Sequence, residues 1–305
     1  MNTLWVAGPL IGLIGMMSGG FWGVGCGWIV VPTMLILGFD PLDAVGIGLL
    51  QMVPSTIPTV VRQFPEIGWQ VNQPGRVLVI PLAVGAIGAS LFGKMFNEEL
   101  FQLFGGAGVL QWMLAAFILV IALQTACSHT LVNADEFPAF STSKKFGVFG
   151  VGAVTGVLSS MLGVGGGLLM RPVLTSGFKI PEYFTSRIVR LMVTLTTLSG
   201  GITYLFHADA VVWPVLWGAI LVSLGGFVGF PLGTWMHKIA FDAGYAQHIH
   251  KSFSIPAGAM FVNTILNVTG FREISRVAMV IIALGVAAGL IGFTRYAGKH
   301  PRNII

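Results

Sequence analysis

The sequence predicts an all-α integral membrane protein of two homologous halves. Three observations predict it: extreme apolarity, an internal repeat, and glycine clusters that interrupt two of the longest apolar stretches. Of 305 residues, 55% are hydrophobic and 9% charged, and mean hydropathy is +0.86. A soluble domain carries about 25% charged residues. So few charges cannot cover a water-facing surface, so most of the exterior must face lipid. The apolar stretches are long and do not alternate, which favours a helical bundle over an outer-membrane barrel. The 42 glycines suit helices packed closely through small residues.

In chain order, apolar segments run at 4–37, 42–61, 76–94, 100–126, 147–178, 183–206, 211–236, 252–269 and 275–296. The longest polar break, Ser128–Lys145, divides the chain into a first repeat (1–127), a connecting loop (128–146) and a second repeat with one extra C-terminal helix (147–305). A shift of 140 residues places Gly23, Val24, Gly25, Gly27 and Pro32 on Gly163, Val164, Gly165, Gly167 and Pro172. A weaker echo places Gly85 and Gly88 on Gly226 and Gly229.

Segments 4–37 and 147–178 exceed the roughly 20 residues a spanning helix needs, and their central glycines break a helix. Charge decides between spanning and turning back. If both are re-entrant hairpins and the N-terminus is outside, Arg62, Arg76, Lys144, Lys145, Lys179, Lys238, Lys251, Arg295, Lys299 and Arg302 fall inside, against Lys94, Arg272 and Arg276 outside. If both span, the same charges split seven to six. The positive-inside rule favours re-entry. Each repeat is then a hairpin plus three spans, and the odd number inserts the halves with opposite orientation, a recurring transporter design.

Composition excludes other classes. The net charge of +5 is scattered and forms no nucleic-acid patch; it reflects topology, with Lys and Arg retained on the cytoplasmic side and the C-terminus inside. Cys26 and Cys127 have no disulfide or metal spacing and are expected to be small buried residues. The N-terminus lacks a basic n-region and reads as mature structure. Gly163–Gly167 lacks the Lys-Ser/Thr ending of a phosphate-binding loop. Acidic residues sit in loops or at segment ends, and histidines are peripheral, so neither an enzyme site nor a carboxylate relay is expected. No cofactor is implied. The expected partners are a small anion and the bilayer, with a homodimer allowed.

The candidate site follows from the repeat. Gly23, Gly25, Cys26 and Gly27, with Gly163, Gly165, Gly166 and Gly167, would let backbone N–H groups approach a ligand, and the helices restarting near Trp28 and Leu168 would present positive ends to an anion. Tight helix packing through glycine is the alternative. Arg171, Arg187 and Arg190 lie in apolar surroundings without a carboxylate at helical spacing from Arg190, and an oxyanion would supply the counter-charge. For Arg187, reaching out to the interface is an equal alternative. Gln51, Ser55 and Thr56 would complete the site or bond their own backbone beside Pro54 and Pro58. An anion leaving a cell gains roughly 2.3 kcal/mol per 100 mV without any coupling residue, so the sequence leans towards efflux.

These motifs resemble the TauE/SafE sulfite exporter family. The resemblance rests on G-V-G-G-G-L-L-M-R-P from Gly163, with Ser160 where the family pattern has a further glycine; on G-G-F-W-G-V-G-C-G-W-I-V-V-P from Gly19; on A-V-G-I-G-L from Ala44; and on two related halves across nearly the whole chain. It implies export of sulfite, a sulfonate or a related sulfur-containing anion by a secondary transporter, with the glycines of both clusters forming the site. A passive anion channel and an organic-anion importer are the alternatives. The sequence departs from the family in reading G-I-G-L at Gly46, T-S-R-I at Thr185, and in placing Arg171 directly before Pro172.

Overall fold

A computed structural model describes residues 2–104, 108–127, 137, 142–206 and 213–302. Most of the expected connecting loop lies outside these residues, as do Asp135, Glu136 and Asp209. The described residues form fourteen α-helices and no strand. In the first half these are α1 (Asn2–Trp22), α2 (Gly27–Ile36), α3 (Pro41–Leu50), α4 (Met52–Gln63), α5 (Ile80–Ser90), α6 (Gly93–Leu103) and α7 (Gly108–Cys127). In the second they are α8 (Thr142–Leu162), α9 (Gly167–Pro172), α10 (Glu182–Leu205), α11 (Trp213–Asp242), α12 (Ala246–Ser252), α13 (Ser254–Val268) and α14 (Arg272–Lys299).

Eight stretches are long and apolar enough to cross a membrane. They include α1 and α8, so the two glycine-broken segments are unequal hairpins: a 21-residue arm and a short returning one. The earlier glycines of the long arm do not break it because they are packed against a neighbouring helix. The return is direct, since a β-carbon on Gly15 would lie 3.3 Å from Val30 and one on Gly19 would lie 2.9 Å from the Gly25 backbone. The apolar segment at 252–269 differs from expectation, because α13 has only 15 residues and is offset from α12 at Phe253.

Backbone contact between the halves sets the architecture. A β-carbon on Gly12 would collide with the Val222 carbonyl, and one on Gly225, Gly229 or Gly233 with the carbonyls of Pro9, Leu13 or Met17. Helices α1 and α11 therefore run parallel in main-chain contact, as small residues allow in membranes. The same arrangement joins α8 to α5: Gly152 meets the Leu82 carbonyl, and Gly85 meets the Phe149 carbonyl. These contacts match under the 140-residue shift, so Gly85 corresponds to Gly225, one residue earlier than the sequence echo suggested. Helices α3–α4 and α10 run antiparallel, with Gly46 against Tyr204, Leu50 against Gly201 and Thr56 bonded to Thr194 at 2.7 Å.

The outer surface is apolar. Val277, Val280, Ile281 and Leu284 of α14 are exposed, and Trp5, Trp213 and Trp217 stand exposed at the starts of the parallel helices α1 and α11, where indole rings suit a membrane interface. With this surface and these spans, the chain is a multi-pass membrane protein.

Candidate anion site at the paired helix breaks

The two breaks have nearly the same backbone. Gly23 and Gly25 have φ of +67° and +81°, and Gly163 and Gly165 have +70° and +80°. These are left-handed values that disfavour any side chain. The breaks diverge at the next position, where Gly166 has φ +71° but Cys26 has φ −116°. They also touch each other. A β-carbon on Gly27 would overlap the Gly163 carbonyl, and one on Gly167 would lie 3.0 Å from the Gly23 carbonyl. The glycines thus serve tight packing and an unusual backbone together. Neither α2 nor α9 receives a side-chain cap at its N-terminus.

Around the first break, Gln51 Nε2 donates to Cys26 Sγ at 2.6 Å and to the Gly48 carbonyl at 3.1 Å, while Gln51 Oε1 is buried without a partner. Gln51 therefore joins the site. Ser55 does not, since its hydroxyl donates to the Gln51 carbonyl at 2.9 Å and packs against Gly226. Thr56 likewise bonds the Met52 carbonyl. Cys26 is buried as expected, whereas Cys127 is exposed, because it ends α7 at the surface.

Around the second break stand hydroxyls that the motif reading missed. A β-carbon on Gly166 would lie 2.9 Å from Thr155, 3.4 Å from Thr196 Oγ1 and 3.5 Å from Ser159. Thr155 and Ser159 are fully buried and their hydroxyls have no partner among the described residues. Most helical hydroxyls in this chain bond a carbonyl one turn back, as Ser160 and Thr197 do. The available signal was their i,i+4 spacing, which puts both on one face of the helix entering the break. The repeat shift assigns glycines, Gly15 and Gly19, to the same places in the first half.

The three arginines part company. Arg171 is 2% exposed and its Nη2 pairs with Glu182 Oε1, leaving Arg171 Nε and Glu182 Oε2 buried without partners. Its Nη1 lies 3.2 Å from where a Gly23 β-carbon would be, so it reaches from the second break to the first. The expectation of a core without carboxylates is thereby corrected: Glu182 opens α10 yet is 3% exposed. A reversal at Lys179, which has φ +55°, folds it back onto Arg171. Arg187 is also not the unpaired cation expected. It donates to Glu66 at 2.7 Å and lies 3.6 Å over the Tyr183 ring at a part-exposed position, away from the breaks.

Arg190 is 4% exposed and has no carboxylate within ion-pair distance among the described residues. Its contacts are long, 3.4 Å to Gln63 Oε1 and 3.4 Å to the Gly20 carbonyl, and its Nε has no partner. His237 Nδ1 lies 2.7 Å from the Phe21 carbonyl, which can only accept, so this nitrogen carries the proton. Both cationic or donor groups thus meet the carbonyl end of α1, where the helix dipole is negative. His237 and His250 are buried, which corrects the reading of all histidines as peripheral.

Arg171 borders a cavity of only about 10 Å³, shared with Trp22, Val24, Thr125, His250 and Phe253. That volume holds at most one water. The larger cavity, about 430 Å³ between α1, α13 and α14, has an apolar lining without a charged residue and offers nothing to an anion.

Comparisons with known proteins give the family. The family model for the sulfite exporter TauE/SafE matches residues 9–246. A probable membrane transporter protein of Methanocaldococcus jannaschii is 23% identical over 284 residues, covering 88% of this chain and 94% of that protein. The probable membrane transporter protein YunE of Bacillus subtilis is 22% identical over 245 residues, 75% of this chain and 87% of its own length. No solved structure matches. The chain is a member of the TauE/SafE sulfite exporter family, a membrane transporter and not an enzyme.

Proposed function

We propose that this transporter exports a small sulfur-containing anion, sulfite or an organosulfonate, by alternating access at the paired breaks. One observation carries the reading. Among the described residues, five buried donors at or beside the breaks have no partner, Trp28 Nε1, Thr155 Oγ1, Ser159 Oγ, Arg171 Nε and Arg190 Nε, against two acceptors, Gln51 Oε1 and Glu182 Oε2. Buried polar groups are nearly always satisfied, and a cluster this rich in donors and cations calls for an acceptor-rich, negative ligand. An oxyanion presents several acceptors to such a cluster and can be gripped by guanidinium.

The family description supports the sulfur class, and an inside-negative potential favours outward movement of an anion. The lack of coupling carboxylates no longer contributes to the direction, given Glu182. The parallel α1–α11 and α8–α5 pairs and the antiparallel α3–α4 and α10 support an inverted relation between the repeats, and the distribution of Lys and Arg supports an N-terminus outside and a C-terminus inside a cytoplasmic membrane. The closed cavity at Arg171 supports a carrier that must rearrange, over an open channel.

Flux of sulfite, thiosulfate, methanesulfonate and taurine into or out of proteoliposomes tests the proposal. Saturable flux of at least one sulfur anion is expected, with a small carboxylate transported poorly. Replacing Arg190 by Ala removes a charge-assisted contact worth about 1.5–3 kcal/mol and is expected to lower flux by about tenfold or more. Unchanged flux in that variant removes Arg190 from the site.

A further inference from the structure

The Arg171–Glu182 pair is the one fully buried ion pair recorded among the described residues, and it stands at the point where the two breaks meet. The repeat shift places Val31 and Leu42 at the corresponding positions of the first half, so the pair has no counterpart there. Packing of the fold does not demand it, because the other half forms the same break with apolar side chains. Each partner also keeps one buried polar atom unpartnered, Arg171 Nε and Glu182 Oε2.

An anion arriving at the breaks meets Arg171 already neutralised. To grip the guanidinium at Nη2, the nitrogen that Glu182 holds, it displaces Glu182, which would leave that carboxylate without its partner in a buried place. That is strongly unfavourable, and the nearest relief is a proton. From this geometry, and resting on the anion-transport reading above, we infer that Glu182 is a proton site linked to anion binding: each anion that takes Arg171 is accompanied by protonation of the Glu182 carboxylate. The proton comes from hydronium or buffer acid in solution, whose bond to hydrogen breaks as the carboxyl O–H forms; –COO⁻ becomes –COOH and the conjugate base stays in solution. No other covalent bond changes. For a monoanion the loaded site then carries the same net charge as the empty one.

The surrounding charges fit this role. Arg190 on α10 interacts electrostatically with both members of the pair, and His237 on α11 and His250 on α12 with Arg171, while Arg187 and Glu66 act on Arg190. Arg187 and Glu66 compensate each other. Arg190 is a fixed cation, so it attracts the anion but cannot supply a titrating counter-charge. The two imidazoles are the other groups able to take up a proton, and the test separates them from Glu182.

Calorimetric titration of the full chain in detergent with methanesulfonate and with thiosulfate, whose charges do not change near neutral pH, counts the protons. The same titration is run in two buffers of different ionisation enthalpy, which reports protons taken up per anion. Uptake of about one proton, with affinity rising up to tenfold per pH unit fall, is expected for the wild type. Glu182→Gln is expected to take up none and to bind with pH-independent affinity, while His250→Asn and His237→Asn keep the uptake. Binding without proton uptake in the wild type overturns the inference and leaves the anion-transport reading standing. Uptake that persists in Glu182→Gln, or vanishes in a histidine variant, also overturns it. A chain that binds neither anion overturns both.

Discussion

At the scale of single residues, environment separates side chains that the sequence treats alike. Arg187 and Arg190 are one helical turn apart, yet one is paired at a part-exposed position and the other is buried without a carboxylate among the described residues. Replacing Arg187 by Ala is therefore expected to leave anion flux within about twofold, since exposed ion pairs contribute little, in contrast to the loss expected for Arg190. The Arg171–Glu182 pair makes a different forecast, for stability. Arg171→Met or Glu182→Met alone leaves an uncompensated buried charge and is expected to cost about 3–5 kcal/mol. The double variant should lose clearly less, because it buries no charge. Unfolding of the four proteins in detergent measures this cycle, and additive losses would show that the two charges do not compensate each other. These pairings were illegible in the sequence. Glu182 follows Arg171 by eleven positions across a reversal at Lys179, a distance at which no local periodicity applies. Thr155 and Ser159 were half-legible: their spacing was visible, but not that the α8 face they occupy turns towards Gly166.

At the scale of elements, glycine has two distinct uses. In the breaks it supplies left-handed backbone, at Gly23, Gly25, Gly163, Gly165 and Gly166. Along α1, α5, α8 and α11 it lets main chains touch. The sequence offered these as rival readings of one composition, and both hold in different places. A paired substitution tests the second use. A β-carbon on Gly225 would collide with the Pro9 carbonyl, whereas one on Gly289 in α14 meets nothing within 4 Å. Gly225→Ala is expected to destabilise by about 1–3 kcal/mol, the usual range for overpacking. Gly289→Ala should be neutral or slightly stabilising, since alanine is the better helix former. A comparison of thermal unfolding in one detergent decides it, and equal transitions would show that the α1–α11 contact gives way freely.

At the scale of the whole molecule, the proposed orientation makes a forecast that does not depend on the substrate. With Cys26 and Cys127 replaced, a cysteine at Arg272 is expected to react with a membrane-impermeant thiol reagent added to intact cells. One at Lys299 should react only after the membrane is opened. Both positions are exposed at the ends of α14, so failure of access is not expected to come from burial. The reverse pattern would invert the topology, and with it the side from which an exported anion enters.

By itself, the sequence determined the membrane class, the helical architecture, the 140-residue repeat and the positions of both breaks. These follow from local and additive properties: apolarity summed over a span, glycine's backbone freedom, and a pattern that recurs at a fixed offset. Only the tertiary structure decided that the two breaks touch, that Arg171 is answered by Glu182 while Arg190 has no carboxylate among the described residues, and that Thr155 and Ser159 face the second break. Those facts depend on which surfaces of distant helices meet. Charge and hydrogen-bonding capacity take their meaning from neighbours, and here the neighbours are set by main-chain contacts between helices more than two hundred residues apart, such as Gly12 and Val222.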